Sequence, residues 1–83
     1  MIKLILLLNN QILISQIDEV STELGEPDCK LIKPFVVHPD KTLSPWISDF
    51  SSQNIFMIHS DKILTISDPN TTLLDKYNKL IKE

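Results

Sequence analysis

Two short stretches of this 83-residue chain, residues 4–8 and 55–58, are apolar at every position. A strand built from either has no polar face, because successive side chains point to opposite sides. One side can line a core. The other needs a second layer or another subunit to keep it from water. A chain this short folds as one domain, 1–83, with a modest core, so it has little material to spare for cover.

The rest of the pattern is mostly β. Residues 2–8 form a first strand, and Asn9-Asn10 suits a two-residue hairpin turn because Asn tolerates positive φ. In residues 11–20 the apolar positions Ile12, Ile14 and Ile17 fall out of alternation, which predicts a bend or bulge near Ser15-Gln16. Residues 24–28 hold the only glycine and a proline and form a loop. Residues 29–38 read as a third strand, in which Pro34 requires an edge position or a bulge. A long polar connection, 39–54, carries the lone Trp46. Ile55 to Ile58 and Ile63 to Ile66 are the last two strands, joined by His59-Ser60-Asp61-Lys62. The period then changes: Asn70 can cap a helix over 71–82, with Leu73, Leu74, Tyr77, Leu80 and Ile81 on one face.

Charge and composition narrow the function. The net charge is −3, and all eight basic residues are lysine. Arginine is the preferred residue for stacking on bases and for bidentate contacts, and no basic face is visible, which weakens nucleic-acid binding. A ring that gathered a few lysines around one pore would offset this. The acids at Asp18, Glu19, Glu23, Glu26 and Asp28 form a solvated stretch that repels nucleic acid locally. The longest apolar run falls far short of the roughly 20 residues of a membrane span. The first residues lack a signal-peptide pattern, so the expectation is a cytoplasmic protein with no membrane partner.

No catalytic constellation stands out, and no enzymatic activity, cofactor or small-molecule substrate is expected. His59, Ser60 and Asp61 are the residue types of a hydrolase triad, but neighbours in a tight turn do not form its geometry. Asp61 more simply bonds backbone N–H groups and shapes the turn. Cys29, His38 and His59 lack the spacing of a metal site, and a structural zinc needs four ligands. The lone Cys29 reads as a small buried apolar residue. Trp46 suits either an interface anchor or a cap over one end of the core.

In order and spacing, residues 2–66 resemble the Sm-like (LSm) family, an all-β fold of the SH3-like barrel class: a strongly bent, five-stranded open barrel, here with a C-terminal helix. The run Ile58-His59-Ser60-Asp61-Lys62-Ile63-Leu64-Thr65-Ile66 resembles the second Sm motif. Leu7-Leu8-Asn9-Asn10-Gln11 through Ile17, and Asp28-Cys29-Lys30-Leu31-Ile32, resemble the first more loosely. The whole chain looks like the small Sm-like proteins of marine cyanophage type. The resemblance implies a homo-oligomeric ring of roughly five to seven subunits, with Ile55, Phe56, Met57, Ile58 and Ile63 at or near the subunit interface. It also implies RNA contact through Lys30, His59, Ser60 and Lys62. The family's base-reading Asn and stacking Arg are replaced here by Lys30 and His59. The alternative is a protein-interaction or scaffold ring without a functional RNA pocket.

Overall fold

The computed structural model describes residues 1–47 and 50–82. Among the described residues, six strands and one helix follow in the order β1 (Ile2–Leu7), β2 (Ile12–Glu19), β3 (Cys29–Val37), β4 (Leu43–Pro45), β5 (Ile55–Ile58), β6 (Ile63–Ser67) and α1 (Thr71–Ile81), with a 3₁₀ turn at Ser60–Lys62 between β5 and β6. All pairings are antiparallel. The path across the sheet is β4-β3-β2-β1-β6, and β5 pairs with β3 as well. The expected five strands become six, because the 39–54 connection folds back at once to pair Leu43–Pro45 with Phe35–Val37.

The first hairpin differs from the expected two-residue turn. Leu7 accepts from the Asn10 N–H at 3.0 Å, and its own N–H donates to Gln11 O at 2.9 Å. The loop is therefore the three residues Leu8–Asn9–Asn10, with Asn10 left-handed at φ 68°. That is the common three-residue hairpin, whose last loop residue must tolerate positive φ.

The bulge lies where two signals converged, at Ser15 and at Pro34. Ile14 pairs with Phe35 and Gln16 with Ile32, so Lys33 and Pro34 together face Ser15 alone. Lys33 takes up the extra residue in a left-handed conformation, φ 53°. Beyond the bulge, β3 changes partner on its outer edge: residues 29–32 pair with β5, and residues 35–37 with β4. Pro34, which has no N–H to give, sits in the gap between those two ladders.

A bulge frees backbone groups inside the fold, and two hydroxyls satisfy them. Ser15, fully buried, has its Oγ 3.0 Å from Ile32 O and 2.8 Å from Gln16 O. The Tyr77 hydroxyl, from α1, lies 2.9 Å from Lys33 O and 3.1 Å from Ile32 O, and accepts from the Gln16 N–H at 3.3 Å. Tyr77 is fully buried, and burial pushes its phenol pKa up. Its ring meets Phe35 edge-on at 5.7 Å.

The helix covers one face of the sheet, including that of β1. One sheet face packs Ile5, Leu7, Leu13 and Leu31 with Ile17, Val36, Trp46, Ile58 and Ile63. Ile58 and Ile63 come from the strands at the two ends of the sheet, so the sheet curls to bring them to one core. The opposite face packs Ile14 against Leu73 and Tyr77, with Ile2, Leu4, Phe35, Val37, Leu43 and Ile81 around them. Asn70 caps the helix, its side chain accepting from Leu73 N–H at 2.9 Å. Leu80, expected on the buried face, is exposed. Among the described residues no helix is long and apolar enough to cross a membrane.

Replacing Tyr77 by Phe keeps the ring and removes the hydroxyl that bridges β2, β3 and α1. Leaving buried backbone groups unsatisfied costs about 1–3 kcal/mol. Urea unfolding of Tyr77→Phe should show a loss of that size with an unchanged m-value; a change within error would mean that water replaces the hydroxyl at no cost.

Candidate functional site

The loop that follows β2 and the 3₁₀ turn that follows β5 meet at one end of the sheet. Cys29 pairs with Ile58 at the last rung of the β3–β5 ladder, so the residues just beyond it, Asp28 and His59, are brought together. Asp28 Oδ1 accepts the Ser60 N–H at 2.7 Å, and Oδ2 accepts the Ser60 hydroxyl at 2.7 Å. The loop is closed by Val20 N–H donating to Asp28 O at 3.0 Å, and the turn by Lys62 N–H donating to His59 O at 3.1 Å. Gly25, at φ 89°, makes the left-handed corner of the loop. On its far side the turn is held by Leu8 N–H, which donates to Lys62 O at 3.0 Å.

Between loop and turn lies a shallow cleft of about 360 Å³, walled by Leu24, Glu26, Asp28, His59, Ser60 and Asp61. Three of those six are carboxylates. The Ser60 hydroxyl and then its N–H hold the Asp28 carboxyl below its ordinary range, with a smaller contribution from His59. The serine proton is committed to a carboxylate that already carries full charge. That arrangement makes a latch between loop and turn, and it gives Ser60 no general base.

The sequence-derived RNA residues are divided by this geometry. His59, Ser60 and Lys62 share the turn. Lys30 stands two residues into β3 from Asp28, between Asp18 of β2 and Met57 of β5. Lys30 and the turn lie at the end of the sheet where Glu26, Asp28 and Asp61 line the cleft. Asp61 does not close the turn; Asp28 does so from 32 residues away. Nothing near Asp28 in sequence points to Ser60, because the contact exists only once β3 and β5 have paired.

The interface residues are divided as well. Ile58 and Ile63 pack against the core, and Phe56 meets Trp46 edge-on with ring centroids 5.6 Å apart. All three side chains are half-buried against their own chain. Ile55 and Met57 point the other way and are 49% and 45% exposed. Cys29 and His38 lie at opposite ends of β3, and His38 pairs with the Ser44 hydroxyl at 2.7 Å. Burial first, then Asp28 and Glu19, raise the Cys29 pKa, which disfavours the reactive thiolate.

The Asp28 latch has a defined pH dependence. Only the carboxylate accepts both bonds, and its folded pKa lies below 3.8. Its contribution is present above the unfolded pKa and lost as pH falls through the folded one. The amide resonance of Ser60 should therefore titrate with a midpoint below 3.8, and in Ser60→Ala the Asp28 carboxyl should move back up. A Ser60 amide that ignores pH down to global unfolding would show that the latch is not made.

A family described as a family of unknown function, DUF6561, matches residues 1–82 of the chain. No curated protein matches it.

Proposed function

The chain belongs to the DUF6561 family of unknown function, and for this member we propose a non-enzymatic assembly role: an Sm-like subunit that pairs edge to edge with copies of itself and acts as a scaffold ring. The observation that carries the reading is the seam between β5 and β6. The two strands are joined through the 3₁₀ turn, yet among the described residues β5 pairs only with β3 and β6 only with β1. Each offers a free edge of N–H and C=O groups, which is a template for another strand.

Apolar side chains line both edges. On β5 these are Ile55 and Met57. On β6, Ile66 lies opposite the buried Ile5 on the core side of the sheet and is still 47% exposed. Leu64, left out of the β1–β6 register between Ile63 and Thr65, is 61% exposed. A β5 edge meeting the β6 edge of the next copy is a heterologous contact, and repeated rotation by a fixed angle closes it into a ring. The bent β2–β3 pair, the short connector between the last two strands and the curled sheet all suit the Sm-like reading. So does a ring of roughly five to seven subunits.

The acidic cleft favours a scaffold over an RNA clamp, since anionic walls oppose phosphate. A second reading keeps RNA as the partner, because His59, Ser60, Lys62 and Lys30 reach one end of the sheet. Light scattering on the purified protein should give a mass several times the 9.5 kDa of one chain, with an absorbance ratio free of nucleic acid. A raised 260/280 nm ratio would select the RNA reading. Leu64→Lys or Met57→Lys, each placing a charge on one edge, should yield a folded 9.5 kDa monomer. A monomeric wild type would overturn the proposal.

A further inference from the structure

A second copy can be laid against the first in two ways, and the sheet topology ties each way to a face. From β5 the ladder runs through β3, β2 and β1 to β6, and each of these four pairings is antiparallel. Four reversals bring β5 and β6 into the same direction. A copy that continues the sheet with the same face up therefore sets its β5 parallel to the first copy's β6. Turning that copy over makes the contact antiparallel and exchanges the faces.

The two arrangements match different side chains. On β6, Ile63 and Ile66 pair with Leu7 and Ile5 on the core face, while Thr65 and Ser67 pair with Leu6 and Leu4 on the face that carries α1. On β5, Phe56 pairs with the buried Leu31 on the core face, so Ile55 and Met57 lie on the other. Residues opposite each other on neighbouring strands share a face. The parallel arrangement thus sets the exposed Ile55 and Met57 beside Thr65 and Ser67. The antiparallel one sets them beside Ile63 and Ile66. Ile66 is 47% exposed although Ile5 opposite it is fully buried, and among the described residues it joins neither core cluster. The core is open beside it.

We infer that β5 of one copy lies antiparallel to β6 of the next, and that its Ile55 and Met57 close the neighbour's core at Ile66. This rests on the seam reading above and adds to it the strand direction and the residues that meet. Burying isoleucine and methionine against isoleucine removes more apolar surface from water than setting them beside threonine and serine. Antiparallel ladders are also slightly the more stable per residue. The exchange of faces turns Phe56 and Ile58 toward Thr65 and Ser67 at little loss, because both already pack on their own chain. Each subunit lends two side chains to the core of the next, and that core is complete only in the assembly.

The test uses two batches of the full chain in a deuterated background, one labelled at the methionine methyls and the other at the isoleucine δ1 and threonine methyls. The batches are unfolded, mixed and refolded together. Any NMR cross-peak from a methionine to an isoleucine or threonine methyl then arises between copies. Met57 is assigned by the loss of its signal in Met57→Leu, and Ile66 by the loss of its signal in Ile66→Val. The expected spectrum has a Met57–Ile66 cross-peak and none from Met57 to Thr65. A Met57–Thr65 cross-peak without one to Ile66, or an assembled sample with neither, would leave the seam standing and overturn the strand direction. A mass of one chain by light scattering on the same sample would remove the seam itself, and this inference with it.

Discussion

The structure turns on the bulge at Lys33–Pro34 and the hydroxyl that closes it. An extra residue in β3 bends the strand and removes ladder bonds from the middle of a buried pair. Such a defect is costly unless each freed group finds a partner. Ser15 and Tyr77 are those partners. Because Tyr77 stands on α1, the helix docks over the bend, and its apolar face covers the side of the sheet opposite the main core. The same bend divides the outer edge of β3 between β4 and β5. The helix position and the division of the outer edge of β3 are thus two consequences of one inserted residue.

The open seam follows from the same geometry. β5 is held by β3 and β6 by β1, so the two strands joined by the short 3₁₀ turn pair with different neighbours. The turn is anchored to the hairpin at Leu8 and to the loop at Asp28. These ties set the spacing of two edges that stay unpaired within one subunit. The proposed self-assembly would satisfy them, since isolated apolar edges invite uncontrolled association.

Much of the fold was legible in the residues, and the failures have physical causes. Asn70 announced the helix because a capping side chain acts on its own next turn. The irregular spacing at Ser15 and the proline at 34 each signalled a bulge, and they proved to be the two sides of one feature. Strand β4 was hidden because three residues ending in Pro45 carry no periodicity, and their strand character comes from pairing with β3. The Asp28–Ser60 latch and the Tyr77 bridge join residues 32 and more than 40 positions apart, so no local pattern encodes them. A strand apolar on both faces does not say which face is inward; the half-buried Phe56 ring packs edge-on against Trp46.

Ser15 and Tyr77 act as one unit at the Ile32 carbonyl. A double-mutant cycle with Ser15→Ala and Tyr77→Phe, read by urea unfolding, tests it directly. Groups that share a partner should couple by about 0.5–3 kcal/mol. Two single losses that simply add would contradict the account and leave the bulge as a local irregularity on which helix and edges do not depend.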